Sequence, residues 1–180
     1  MIIAIYGKIG SGKSFASKYI SRKYKYKEYS MGDEVRKVAK NEKLIPNRYN
    51  LSRISTKYKK KYGRDYWIKR LIKNISGKKI IISGIRSVED YMFLKNRYKN
   101  TILIEIYSNN KLREKRMINR NREGDPKNKL DFIKQNLSES ILFSDYYKFE
   151  KHVNFKLSNN ESSSKLYKSI DKLFNQKSLY

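Results

Sequence analysis

Gly7-Lys8-Ile9-Gly10-Ser11-Gly12-Lys13-Ser14 follows directly on the apolar run Ile2-Ile3-Ala4-Ile5-Tyr6 and satisfies Gly-x-x-x-x-Gly-Lys-[Ser/Thr] at every specified position. A phosphate-binding loop has this spelling and this place, between a strand and a helix. Its glycines let the backbone curl until successive N–H groups point at phosphate oxygens, and the helix N-terminus behind them adds partial positive charge. Average residue frequencies give the four specified positions a chance match in about one per cent of chains this long. The strand in front lowers that further, so phosphate binding is preferred to a glycine-rich turn with an ordinary lysine behind it. Gly7 through Ser14 then cradle the phosphates of a nucleotide, Lys13 reaches the β- and γ-phosphates, and the Ser14 hydroxyl ligates the magnesium ion that bridges them.

Working outward, 180 residues are enough for a sizeable core and few enough for one domain, so a single unit over residues 1–180 is expected. There is no cysteine, which rules out disulfides and thiolate metal sites and fits a cytoplasmic location. The single histidine, His152, cannot form a histidine cluster and reads as a packed or surface residue. No apolar run of about eighteen residues occurs, so no membrane span is expected. Met1 leads straight into the strand pattern, without the basic region and cleavage site of a leader.

A formal net charge of +26, from 43 Lys and Arg against 17 Asp and Glu, has two readings. Basic patches interleaved with tyrosine suit a nucleic-acid partner. Lys, Asn, Ile and Tyr are also the residues that AT-rich coding favours, which spreads charge over a solvated surface. Only Lys57-Tyr58-Lys59-Lys60-Lys61 forms a dense run, and this scatter favours the compositional reading.

Along the chain, a buried strand over 1–6 precedes a helix over 13–25 with Phe15, Ala16, Tyr19 and Ile20 at helical spacing. Lys27–Ser30 is a short candidate strand, and Gly32-Asp33 opens a helix carrying Val35, Val38 and Ala39. Beyond Pro46, residues 50–62 and 65–75 read as helices, the second with Trp67, Ile68, Leu71 and Ile72 as its buried stripe. Lys79-Ile80-Ile81-Ile82 and Thr101–Tyr107 are further β-branched strands, with a helix over 88–98 between them. A basic helix over 110–122, a Gly124-Asp125-Pro126 turn, a helix over 129–143, an alternating strand over 152–157, a helix over 162–174 and a frayed tail complete the chain. Strands separated by helices describe a parallel sheet covered on both faces. The expected class is α/β, a three-layer P-loop NTPase fold with a five-stranded parallel sheet, a helical acceptor-binding insert over about 32–76 and a small lid over about 113–128.

Three groups of arginines narrow the chemistry. Arg36 stands one turn into the helix after Ser30-Met31-Gly32-Asp33, where it can hold a phosphate bidentately. Arg86, in Ser83-Gly84-Ile85-Arg86-Ser87, lies at the carboxyl end of a strand, where ligands bind in open α/β sheets. Two arginines facing a nucleotide across one crevice suit phosphoryl transfer to a phosphorylated acceptor, because both substrates are anionic and must be held in line. Arg113, Arg116 and Arg120 recur at helical spacing beside the turn, and with Arg122 read as lid groups that neutralise developing charge and exclude water. No protein nucleophile is required. The acceptor's oxygen attacks the γ-phosphoryl, and Asp33 is the nearest carboxylate if a hydroxyl acceptor needs a base.

The loop, Gly32-Asp33-Glu34-Val35-Arg36, Gly84-Ile85-Arg86-Ser87 and Arg122-Glu123-Gly124-Asp125-Pro126 together resemble the P-loop nucleoside monophosphate kinases. They look most like the largely archaeal branch related to adenylate kinase and dephospho-CoA kinase, with the deoxynucleoside monophosphate kinases close by. The likeness covers roughly residues 1–145 and is specific for the superfamily rather than the acceptor. It implies ATP and Mg2+ as cofactors, acceptor binding by Asp33, Arg36 and Arg86, catalytic roles for Lys13, Arg86, Arg116, Arg120 and Asp33, and magnesium ligation by Ser14. Where such kinases usually carry an aspartate before the glycine matching Gly84, this chain has Ser83, and Asp33 is the substitute ligand. A second family pattern near the last strand is matched loosely by Ser144-Asp145-Tyr146-Tyr147 and Val153-Asn154.

The expected partners are ATP and a small phosphorylated acceptor, a nucleoside or deoxynucleoside monophosphate ahead of dephospho-CoA. The rival from another class is a nucleic-acid-associated ATPase or binding protein, motivated by the charge, with a polynucleotide kinase between the two. No membrane partner is expected.

Overall fold

The computed structural model describes residues 1–122, 124–142 and 146–175. Glu123, Ser144, Asp145 and the tail from residue 176, named above within the lid, the loose family pattern and the frayed end, lie outside the described residues. Five parallel strands form the sheet: β1 (Ile2–Tyr6), β2 (Lys27–Ser30), β3 (Ile80–Ser83), β4 (Thr101–Tyr107) and β5 (Phe155–Ser158), in the order β2-β3-β1-β4-β5. Around it run α1 (Lys13–Tyr24), α2 (Met31–Asn41), α3 (Arg48–Tyr62), α4 (Tyr66–Ile72), α5 (Val88–Arg97), α6 (Asn110–Arg120), α7 (Lys129–Leu142), α8 (Tyr146–Phe149) and α9 (Ser163–Asn175).

β1 is central, in register with β3 on one side (Ile2 beside Ile80, Ile5 beside Ser83) and β4 on the other (Ile2 beside Thr101, Ile5 beside Ile104). All five of its residues are buried, which is why it reads as an unbroken apolar run rather than an alternation. Its side chains divide between two cores by strand periodicity. Ile2, Ala4 and Tyr6 join Ile80, Ile82 and Leu103 under α2–α5, with Phe149 stacked on Tyr6 at 4.5 Å between centroids. Ile3 and Ile5 join Ile81, Ile104 and Ile106 under α1 and α9. The expected three-layer α/β architecture is the one observed.

Element boundaries moved for local reasons. α3 starts at Arg48, two residues earlier than expected, because the Asn47 side chain caps it by accepting from Asn50 N–H at 2.9 Å. β5 starts at Phe155 and not at His152, which sits in a 3-10 turn (Glu150–His152) near the Tyr91 ring. Asn154 ends that turn by exchanging two hydrogen bonds with Leu103: its Oδ1 accepts from Leu103 N–H at 2.8 Å and its N–H donates to Leu103 O at 3.0 Å. Phe15, expected on the inward stripe of α1, is 44% exposed and stacks on Tyr167 at 5.1 Å. Among the described residues no helix is long and apolar enough to cross a membrane.

The centre of the sheet tolerates little loss of volume. Ile82→Ala, fully buried on β3, is expected to lower stability by about 2–5 kcal/mol. Denaturant unfolding followed by the fluorescence of Trp67, the chain's one tryptophan, measures it.

Candidate active site

The loop predicted between β1 and α1 curls back over the carboxyl end of the sheet and is held from three directions. Gly7 (φ +148°) crosses β4 so closely that a Cβ there would come within 2.2 Å of Ile106 O, so both the conformation and the space demand glycine. On the second side, Asn159, just past β5, donates from Nδ2 to Ser11 O at 2.8 Å. Arg116 binds the same support, reaching Ser108 Oγ at 3.0 Å and Asn159 Oδ1 at 3.4 Å. On the third, Arg113 donates to Ile9 O at 3.0 Å and to Asn136 Oδ1 of α7 at 2.9 Å, and also binds Asn110 Oδ1. Arg113 is 1% exposed and acts as a strut behind the loop. The three arginines expected along one face of α6 are therefore divided: Arg113 inward, Arg116 toward the end of β5, and Arg120 toward the cavity.

Lys13 bends over the loop, donating to Gly7 O at 2.6 Å and Lys8 O at 2.9 Å. Burial drives its pKa down to about 7, opposed by Glu139 and aided by the positive charges of Arg86, Arg48 and Arg113. Ser14 is exposed on the first turn of α1, its hydroxyl beside Lys13 in the chain and available to a cation.

Beside the loop, which it meets at Ile9, opens a cavity of about 1070 Å³. Gly84 and Ile85 set one wall, because both N–H groups hook onto Ile5 O at 3.0 and 3.2 Å, and Arg86 then faces the loop. Arg36 lines the same cavity with Asp33, its partner at 2.7 Å. Asp33 is 62% exposed and lies at the rim of the cavity, which Ser14 does not line. Ser83 turns away and donates to Tyr29 O at 3.4 Å. Among the described residues no group of three or more His, Cys, Asp or Glu side chains converges. A metal here would be held mainly by the Ser14 hydroxyl and by phosphate oxygens.

The turn at Gly124 sits on the start of α3. Arg120 grips Asp125 through two hydrogen bonds of 2.7 and 2.5 Å, and Arg122 N–H adds a third at 3.0 Å. Burial pushes the Asp125 carboxyl up, but these contacts outweigh it and hold the pKa below the usual range. Gly124 lies against Asn47 and Arg48, where a Cβ would meet Arg48 N at 2.7 Å. Its carbonyl accepts from Gln135 Nε2 at 3.0 Å.

Two site residues escaped the reading of the sequence. Arg48 lines the cavity at the first turn of α3, and burial lowers its pKa to about 10, with Arg86 adding to the shift and Glu139 opposing it. Its signal was the helix start that Asn47 marks. Glu139, on α7, is 7% exposed; its Oε2 accepts from Ile9 N–H at 2.8 Å and its Oε1 is 3.7 Å from Arg86 Nη1. Its signal was the spacing Phe132, Asn136, Glu139, which puts a carboxylate on the inward stripe of a helix.

The depressed pKa of Lys13 has a measurable sign. A polyanion favours the ammonium form, so above about pH 7 binding must take up a proton. Pyrophosphate binding at about pH 8 is expected to absorb close to one proton, read by calorimetry in buffers of different ionisation enthalpy, and Lys13→Met to abolish the uptake. For stability, Lys13 is unfavourable below about pH 7 and is relieved as the pH rises toward 10.5, because there the unfolded chain holds a proton that the folded chain does not.

Comparison with known proteins agrees with this geometry. Residues 6–133 match the family model described as AAA domain. A UPF0200 protein of Staphylothermus marinus is 33% identical over 140 residues, covering 77% of this chain and 73% of that one. A UPF0200 protein of Methanococcus maripaludis is 32% identical over 157 residues, covering 81% and 85%. Among solved structures, shikimate kinase from Acinetobacter baumannii in complex with shikimate superposes with a TM-score of 0.63 at 14% identity, covering 99% of this chain and 95% of that one, a likeness of fold. The chain therefore belongs to the AAA-domain family, among the UPF0200 proteins, and has the fold of a P-loop kinase.

Proposed function

We propose that the protein is an ATP-dependent phosphotransferase that moves the γ-phosphoryl of ATP onto a small phosphorylated acceptor, in the first place a nucleoside or deoxynucleoside monophosphate. The observation that carries this reading is the cavity beside the phosphate loop, into which Arg36, Arg48, Arg86 and Arg120 all open. The donor's phosphates are served by the loop and Lys13. Further arginines facing the same space imply a second anionic substrate. The walls beyond them, Met31, Val35, Leu51 and Trp67, offer apolar surface for a nucleoside. Solved neighbours include shikimate kinases, so shikimate belongs in the acceptor panel, although it carries no phosphate for these arginines.

In this mechanism Gly7–Ser14 hold the donor phosphates and Lys13 follows the charge that develops as the γ-phosphoryl departs. Arg36 and Arg86, joined by Arg48, orient the acceptor phosphate for in-line attack by its own oxygen. Arg120, fixed by Asp125, supplies positive charge from the lid side, and Arg116 supports the donor side from its place at Asn159. Magnesium would be held by Ser14, with Asp33 as the acceptor-side carboxylate, and its chemistry is neutralisation of the phosphoryl oxygens. Asp33 serves a hydroxyl acceptor as base. The finer kinship with adenylate and dephospho-CoA kinases belongs to this proposal, with dephospho-CoA as the second acceptor.

Incubation with ATP and a panel of nucleoside monophosphates, deoxynucleoside monophosphates, dephospho-CoA and shikimate is expected to give ADP only with an acceptor present. No acceptor-dependent ADP from any of them overturns the proposal. Lys13→Ala is expected to lower kcat by about 100- to 1000-fold with the circular dichroism spectrum unchanged. Arg86→Gln is expected to raise the acceptor KM by about tenfold or more, since a hydrogen bond to a charged group is lost, while the Kd for ADP changes by less than about threefold.

A further inference from the structure

Glu139 is a carboxylate inside an anion site. A phosphate loop works by aiming backbone N–H groups at an anion, and within this loop Ile9 N–H already has an anion, Glu139 Oε2 at 2.8 Å. The other carboxylate oxygen faces Arg86 at 3.7 Å, the arginine read above as an acceptor ligand. One side chain therefore satisfies one group from each of the two phosphate subsites.

The position is built, not incidental. Phe132, Asn136 and Glu139 form the inward stripe of α7. Phe132 is buried against the Arg113 guanidinium, and Asn136 Oδ1 accepts from Arg113, which also holds Ile9 O. Arg113 thus ties the loop carbonyl to α7 while Glu139 ties the loop N–H to it. The surroundings are cationic: Lys13, Arg48 and Arg86 bear on one another through space, and the negative charge of Glu139 is felt at both Lys13 and Arg48.

We propose that Glu139 is an internal counter-anion that neutralises the paired phosphate subsites in the free protein and is displaced when substrate phosphates enter, so that donor and acceptor bind with positive coupling. This rests on the kinase reading above for the identity of the two subsites. The physical reason is shared displacement. A phosphate at either subsite lies close to a like charge and supplies the neutralisation that Glu139 provided, so Glu139 leaves. The second phosphate then finds the carboxylate already gone, and its binding is favoured by that amount, with the reciprocal effect on the first. Release also reaches the lid, because Gln135 on the same helix holds Gly124 O.

The test uses inorganic pyrophosphate, which needs no turnover, titrated calorimetrically into the protein and three variants. Glu139→Gln is expected to bind pyrophosphate about tenfold more tightly, within the usual five- to 150-fold range of such couplings. Glu150→Gln, exposed on the surface, makes the same change in net charge and is expected to match the parent within about twofold. Without anion Glu139→Gln should melt below the parent, since the cations are left uncompensated, and should gain more from saturating pyrophosphate than the parent does. Should Glu139→Gln fail to fold, Glu139→Asp decides: it keeps the charge but retracts it from Ile9 N–H, and tighter pyrophosphate binding is again expected. With an acceptor in hand, the ratio of Kd values for a non-hydrolysable ATP analogue without and with that acceptor should be about fivefold or more in the parent and near one in Glu139→Gln.

Unchanged or weaker pyrophosphate binding in the folded Glu139 variants overturns the counter-anion; weaker binding with lost turnover would instead make Glu139 a ligand-side carboxylate. The two readings fail separately. A silent acceptor panel with tighter pyrophosphate binding in Glu139→Gln removes the kinase reading alone, and normal transfer with unchanged pyrophosphate binding removes the counter-anion alone.

Discussion

The hydrogen bonds that fasten the loop after β1 to its neighbours are the constraint on which the site depends. β1 is buried on both faces and flanked on both edges, so its carboxyl end is fixed in space by the sheet itself. The chain must then turn through a loop that exposes its donors to a ligand while its carbonyls are satisfied elsewhere. Arg113 takes the carbonyl of Ile9, Asn159 that of Ser11, and Lys13 those of Gly7 and Lys8. With these four carbonyls engaged, an incoming anion competes for none of them. Anion binding follows from a division of labour within the peptide bond.

Around that loop the protein gathers like charges. Arg48 and Arg86 line one cavity near Lys13, and burial first, then the neighbouring positive charges, lowers the pKa of the lysine and of Arg48. Acidic groups offset it locally. Asp125 engages Arg120, Asp33 engages Arg36, and Glu139 reaches both the loop and Arg86. The overall charge of +26 says little about this arrangement; placement of a few carboxylates says more.

The fold was legible because its signals are local. An apolar run, a glycine-lysine loop and a helix specify the first unit, and each later strand repeats the contrast between β-branched runs and amphipathic helices. That Arg36 and Arg86 line one cavity follows a related rule: both come after strands, and ligands of open parallel sheets bind at the carboxyl ends of the strands. Arg113 was misread because helical spacing gives a face but not what covers it; α7, arriving from later in the chain, turned an expected lid arginine into a buried strut. Glu139 left no trace in a motif scan, since its partner Ile9 is 130 residues away and nothing in the intervening sequence records the meeting. Asp33 was read as a substitute magnesium ligand, an acceptor contact and a base; it lines the cavity, where its ion-pair partner is Arg36.

The support that Asn159 gives Ser11 O also bears on the order in which the protein comes into being. The loop is spelled within the first 14 residues, but its backing waits for residue 159, and α1 is further tied to α9 through Asp171, which accepts from Tyr19, Lys23 and Tyr24. During synthesis the loop emerges early and stays unbacked while some 145 further residues are made. Domains fold as units, and here the unit closes only when its last strand and helix arrive. A nascent chain therefore carries the spelling of a phosphate loop long before that loop has its backing.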